Sequence, residues 1–230
     1  MRQGVSGRTR ARGFQDRRLR LGAAGFFLLL AFLLLLPPAP ALAEESPKKF
    51  DLSAAFRYSL PVGEEEAGVK WSDLYDPGVG GAFEVAYRAT PRLALYGGVA
   101  SHRYKGKEVS LEMPFGAFTG KFNDQKLLSL YVGVKGYLLG MLLPQKSAGV
   151  NPYLRADIGL TQFNGAAFNG DSVADRSREV AFSVGVGADV LTYTRFIFFF
   201  EARYEDHGIP DQAGKSFRAV PVSLGLRYLI

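Results

Sequence analysis

The chain has 230 residues, a formal net charge of +6 and no cysteine, so neither disulfides nor a thiolate metal site is available to it. The excess charge is confined to the N-terminus: of 28 Lys and Arg and 22 Asp and Glu, residues 1–43 hold seven Arg and one Asp, leaving 21 of each sign. Balanced charge beyond residue 43 excludes the electrostatic footprint of a nucleic-acid binder.

Residues 1–43 read as an export signal. Arg2, Arg8, Arg10, Arg12, Arg17, Arg18 and Arg20 form a basic segment, and Leu21 to Leu36 is an apolar run of 16 residues ended by Pro37 and Pro38. Ala41-Leu42-Ala43 puts small residues at both positions a signal peptidase reads, so Glu44 opens the mature chain. An apolar run of 16 falls short of the roughly 20 residues of a helical span, which favours cleavage over an uncleaved anchor. Arg17-Arg18 hints at a twin-arginine signal, but a barrel crosses the inner membrane unfolded. Residues 44–49 are then a short periplasmic segment, and no later apolar run approaches a membrane-spanning helix.

From residue 50 onward, eight stretches alternate apolar with small or polar residues at a period of two. The first, Phe50 to Leu60, sets Phe50, Leu52, Ala54, Phe56, Tyr58 and Leu60 against Asp51, Ser53, Ala55, Arg57 and Ser59. Pro61 to Gly78 is a polar loop. The second stretch, Val79 to Arg88, opposes Phe83, Val85 and Tyr87 to Ala82, Glu84 and Ala86, and Ala89-Thr90-Pro91 is a tight turn. The third, Arg92 to Tyr104, carries Leu93, Leu95 and Val99 on one face and Ala94, Tyr96 and Ala100 on the other. Lys105 to Gln125 is expected to be a long loop.

The fourth, Lys126 to Leu138, alternates cleanly, with Leu128, Leu130, Val132 and Val134 against Ser129, Tyr131, Gly133, Lys135 and Tyr137. After a medium link, Pro152 to Phe163 sets Leu154, Ala156, Ile158 and Leu160 against Arg155, Asp157, Gly159 and Thr161. Asn164 to Arg178 is a Gly-rich third loop. Glu179 to Leu191 then opposes Val180, Phe182, Val184, Val186 and Val190 to Ser183, Gly185, Gly187 and Asp189. Arg195 to Glu205 puts Phe196, Phe198, Phe200 and Tyr204 opposite Phe199, Glu201 and Arg203, and Asp206 to Ser216 is the fourth long loop. The last strand, Val220 to Ile230, sets Val222, Leu224, Leu226, Tyr228 and Ile230 against Pro221, Ser223, Gly225 and Arg227.

Export, the lack of a helical span and eight alternating strands point to a closed antiparallel eight-stranded transmembrane β-barrel over residues 50–230, behind a cleaved signal peptide. Connections run long, short, long, medium, long, short, long, the asymmetry of extracellular loops and periplasmic turns, with both termini periplasmic. Pro221, which lacks an amide hydrogen, is expected at the extracellular rim because a closed barrel has no edge to excuse it.

The ending Ser223-Leu224-Gly225-Leu226-Arg227-Tyr228-Leu229-Ile230 resembles the C-terminal signal read during outer-membrane barrel insertion. Ser223, Gly225, Tyr228 and Ile230 carry it, although Ile230 stands where Phe is usual. With the strand count, residues 50–230 resemble the small barrels of the OmpA, OmpX and OmpW kind. That resemblance implies an outer-membrane monomer in contact with lipid and lipopolysaccharide, delivered by periplasmic chaperones and the barrel-assembly machinery. It implies no cofactor. Ending at the last strand, the chain is expected to lack the periplasmic domain of full OmpA proteins.

On this register Glu84, Asp157, Asp189 and Glu201 point into the lumen together with Lys135, Arg155, Arg203 and Arg227, mostly in its periplasmic half. An eight-stranded barrel is just wide enough for its side chains, so these charges must pair. Two readings compete: a neutral plug that fixes register and blocks flow, giving a structural or surface-interacting protein, and a narrow path for ions or small hydrophobic solutes in which one pair breaks. A third, a lipid-A-modifying enzyme, needs a reactive histidine. His102 and His207 lack the His-x-Ser pattern and are expected to be solvated at the rim, so no catalytic residue is assigned. Glu64-Glu65-Glu66, with Asp73 and Asp76, reads as a solvated loop before it reads as a divalent-cation site, and no metal ligand is assigned.

Overall fold

The computed structural model describes residues 50–63, 70–90, 92–113, 116–139, 149–174, 176–191, 195–208 and 216–230. Residues 1–43, read from the sequence as an export signal, residues 44–49 and Glu64 to Glu66 lie outside them. Twelve strands and one helical turn are formed: β1 (Phe50–Val62), α1 (Trp71–Leu74), β2 (Gly78–Thr90), β3 (Leu93–Tyr104), β4 (Glu108–Met113), β5 (Gly116–Lys121), β6 (Gln125–Tyr137), β7 (Gly149–Phe163), β8 (Ala166–Phe168), β9 (Asp171–Ala174), β10 (Ser177–Leu191), β11 (Phe196–Gly208) and β12 (Ser216–Leu229).

Eight of these close a barrel in the order β1-β12-β11-β10-β7-β6-β3-β2. First and last strands seal it, pairing antiparallel from Asp51↔Leu229 to Val62↔Arg218. Closure is what makes the sequence pattern tenable in lipid, because every strand then has two hydrogen-bonding neighbours and no edge remains. The period-two faces sort as expected. Leu130 and Leu224 are each 65% exposed on the outside, whereas Arg155 and Arg227 are 0% exposed within. A one-residue slip of any pairing would turn those guanidiniums into hydrocarbon, so the register is strongly enforced.

Paired aromatic rings mark the end of the apolar belt nearest the turns. Phe50 lies 5.2 Å from Tyr87 and Phe196 lies 5.1 Å from Tyr228, ring centre to ring centre, and all four are exposed on the outside. Tyr58 and Tyr204 face outward towards the other end. Eight residues separate Phe50 from Tyr58; at about 3.3 Å per residue and a tilt of about 40° they span about 20 Å of height, close to the apolar band of such barrels.

Three departures from the sequence reading matter for the site. The strands run further at the loop end, so β11 continues through Asp206 and His207 and β12 begins at Ser216. Two of the expected loops are themselves hairpins, β4–β5 and β8–β9, and β8–β9 turns at Asn169 and Gly170, with φ of 52° and 92°. The hairpins are stitched together: Lys121 N donates to Asn169 Oδ1 (2.9 Å) and Ala167 N to Asn123 Oδ1 (2.8 Å), and the Phe122 and Phe168 rings lie 5.1 Å apart. Pro221, finally, sits inside the wall rather than at the rim. It faces Ser59 of β1, and three further pairs lie beyond it. Its missing donor is tolerated because the β11–β12 ladder is interrupted there, between Ala202↔Val222 and Glu205↔Ala219.

Candidate functional site: the lumenal charge network

All eight charges assigned to the lumen from the sequence are buried there, and the structure adds Asp51, Arg57, Arg88 and Glu205. Among the described residues six acids therefore meet six bases, not four and four. Asp51 and Arg57 lie on the inward face of the sequence pattern without having been counted; Glu205 and His207 continue the inward series Phe199, Glu201, Arg203 past the expected end of β11.

The network is layered along the barrel. Nearest the turns, Arg227 of β12 binds Asp189 of β10 and donates to Tyr137 Oη at 2.8 Å, while Asp51 stands between Arg227 (3.4 Å) and Arg88 (3.6 Å). The centre is held by Arg155 of β7. Its Nη1 reaches Glu201 at 2.7 Å, and its Nη2 reaches Glu84 at 2.9 Å and Asp157 at 3.1 Å. Lys135 completes Glu84 at 2.7 Å and lies over the Tyr96 ring at 4.7 Å. Tyrosine hydroxyls occupy remaining lone pairs: Tyr131 donates to Glu84 (3.0 Å), Tyr96 to Asp157 (2.7 Å) and Tyr153 to Glu201 (3.0 Å). Such completion is what allows ions to persist where water is scarce.

Arg203 links this centre to the layer above, reaching Glu201 and Glu205 at 3.2 Å each. Glu205 also binds Arg57 at 3.0 Å and His207 Nε2 at 3.2 Å, and His207 Nδ1 shares a hydrogen bond with Thr161 at 2.9 Å. Both histidines, expected to be solvated, are instead 2% exposed. They lie inside because β3 and β11 keep their alternation up to His102 and His207, and inward positions of a narrow barrel see no bulk water. A chain of hydroxyl, imidazole and carboxylate, Thr161 to His207 to Glu205, is thus buried within the lumen.

Above the charges the mouth is covered. Tyr75, Tyr104, Leu127, Phe163 and Phe217 form a buried cluster, with Trp71 and Phe122 packed against it. The α1 turn is tied over it: Trp71 Nε1 donates to Ser216 O (3.2 Å), and Lys107 N donates to Leu74 O (2.9 Å). Asp73 and Asp76, weighed as cation ligands, are engaged here instead. Asp73 accepts from Lys70 N at 3.4 Å, and Asp76 lies 3.6 Å from Lys107.

Glycine makes the interior fit. A Cβ on Gly185 would stand 2.5 Å from Arg203 Cγ, one on Gly187 2.5 Å from Tyr153 Cζ, and one on Gly225 2.4 Å from Phe199 Cζ. At two of the three the space is filled by an aromatic ring, Tyr153 or Phe199, and at the third by the Arg203 side chain. Small hollows lie between these side chains, two of them among the described residues next to Arg57. One, about 10 Å³, lies between Arg57, Glu84, Glu201 and Ser223; the other, about 20 Å³, between Arg57, Asp157, Thr161 and His207. Each has room for about one water at most. Of the insertion-signal residues, Ser223 and Gly225 face the lumen and Tyr228 and Ile230 face outward.

The architecture is similar to that of several solved outer-membrane proteins. Neisserial surface protein A (NspA) aligns at 18% identity over 81% of this chain and 100% of its own, with a TM-score of 0.50. OprG from Pseudomonas aeruginosa aligns at 14% over 80% and 96%, TM-score 0.48, and Ail, the attachment invasion locus protein of Yersinia pestis, at 16% over 80% and 99%, TM-score 0.44. No curated protein matches the sequence significantly. Residues 28–228, however, match the outer membrane protein beta-barrel domain, and the chain belongs to that family of outer-membrane barrels.

Proposed function

We propose that this protein works from its outer surfaces, as a structural or surface-interacting element of the outer membrane, while its lumen is shut by paired charges. One observation carries the reading: among the described residues six lumenal acids and six bases compensate one another, beneath an aromatic cover and around small hollows such as those of about 10 and 20 Å³ beside Arg57. A hydrated ion does not pass where a single water barely fits. A narrow path is the second reading, favoured by one detail: both hollows touch Arg57, so movement of that side chain away from Glu205 would join them. Planar-bilayer recording of refolded protein separates the two. A silent wild type, with leak steps only after Arg57→Ala or Arg155→Ala, supports the plug. Reproducible single-channel steps in the wild type overturn it.

A further inference from the structure

At the loop end of the lumen a buried histidine stands among bases. His102 of β3 is 2% exposed, and its Nε2 has no hydrogen-bond partner among the described residues. Arg57 of β1 and Glu205 and His207 of β11 are the charged or titratable groups that face it from other strands. On its own strand, the Tyr104 ring lies 6.2 Å away. Its ladder partners on β2 and β6 are Gly80 and Leu127, which bring no charge. Arg57, Gly80 and His102 form one row across β1, β2 and β3, so no side chain intervenes between the two bases. The acid facing His102 is already shared: Glu205 serves Arg57 (3.0 Å), Arg203 (3.2 Å) and His207 (3.2 Å).

His102 also adjoins the aromatic cover. Tyr104 lies 5.0 Å from Phe217, and Phe217 lies 5.3 Å from Trp71 of α1. The Tyr104 hydroxyl shares a hydrogen bond with Ser59 Oγ at 2.7 Å. A proton added to His102 makes both ring nitrogens donors and sets a second cation facing Arg57. In the closed barrel that charge is buried beside a carboxylate with three claimants, which is strongly unfavourable. Water admitted through the mouth solvates it, so the proton binds the open form in preference and shifts the population towards it.

We propose that His102 is an acid sensor: its protonation releases the aromatic cover and hydrates the loop end of the lumen down to Glu205, while the Arg155 layer below stays closed. The three acids on Arg155 include no histidine among their partners, so the central seal has no equivalent trigger. The inference rests on the closed-lumen, surface-interacting reading above and makes the loop-end surface the part that responds to pH. Asp124, outside the lumen at the same end, is no alternative sensor. Arg103 donates to it from Nε at 2.9 Å and Nη2 at 2.6 Å, and these bonds hold its carboxyl below the usual range.

The test is acrylamide quenching of Trp71, the single tryptophan, in the full barrel refolded into phosphatidylcholine vesicles and titrated from pH 8 to pH 5. Wild type is compared with His102→Phe, His102→Gln and His207→Gln; gel heat-modifiability at both ends of the range confirms that each is folded. Quenching in the wild type is expected to rise as pH falls, the open-to-closed ratio growing up to about tenfold per pH unit for one coupled proton. Both His102 variants are expected to give flat profiles, and His207→Gln to keep the transition. A flat wild-type profile overturns the switch and leaves the plug standing, since a mouth shut at pH 5 is still shut. A transition that persists in either folded His102 variant, or that is lost with His207→Gln alone, overturns His102 as the sensor.

Discussion

Arg155 and Glu201, 46 residues apart in the chain, meet at 2.7 Å in the middle of the lumen. Their strands, β7 and β11, are not neighbours; β10 lies between them. The bond therefore spans the interior rather than running along the wall, and it braces the barrel as an internal strut. Removing one partner leaves the other charged, buried and short of a mate.

Arg155→Ala should accordingly lower the unfolding free energy by about 3–5 kcal/mol, because Glu84, Asp157 and Glu201 all lose a cation at once. Urea titration in lipid vesicles reads this. The chain's single tryptophan, Trp71, lies edge-on to Phe217 at 5.3 Å and reports the mouth of the barrel.

Gly225→Ala should cost about 1–3 kcal/mol, since its Cβ would stand 2.6 Å from the Ala54 carbonyl as well as against Phe199. Gly149→Ala is the matched control: nothing lies within 4 Å of a Cβ there, and its stability should change by no more than about 0.5 kcal/mol. The same vesicle titration compares them.

Leu224→Arg should destabilise by about 2–4 kcal/mol, the cost of a cation on the lipid face near mid-height. Leu224 is among the most exposed apolar side chains of β12 and lies four residues from Tyr228 at the belt's edge. Were the apolar face turned inward, the substitution would instead bury an unpaired charge among apolar side chains, and the barrel would fail to refold.

The architecture was legible because period-two alternation carries one bit per residue, and lipid outside with charge inside leaves that bit no freedom. Arg155 and Glu201 follow from it directly. What alternation cannot report is where a strand leaves the membrane. Asp206 and His207 continue the pattern of β11 beyond the lipid belt, yet as polar residues they read as the start of a loop. The Asn169-Gly170 pair is a strong two-residue turn signal, but its strands are three and four residues long, too short for alternation to show. The α1 turn is held by Trp71 on Ser216 and Leu74 on Lys107, contacts between distant segments that no local pattern encodes.

Outside the membrane, the hydrogen bonds from Arg103 depress the Asp124 carboxyl. A depressed folded value means the pair's stabilisation is present above the unfolded carboxylate value of about 3.9 and is lost as pH falls through the folded one. Carboxyl NMR titration should therefore place the Asp124 midpoint below that of an unperturbed aspartate, and Arg103→Ala should raise it. An unshifted midpoint in the wild type would contradict the pairing.

Closure of the lumen is most directly read by thiol accessibility, for which the absence of native cysteine gives a clean background. Single cysteines placed at Ser183 and Ser223, both buried inside, and at Lys126, exposed outside, are treated with a small charged methanethiosulfonate in the folded barrel. A sealed interior predicts rapid modification at 126 and none at 183 or 223 until urea unfolds the chain. Modification of either lumenal position at a rate comparable to 126 would show water and ions reaching the charges, and the plug would be refuted.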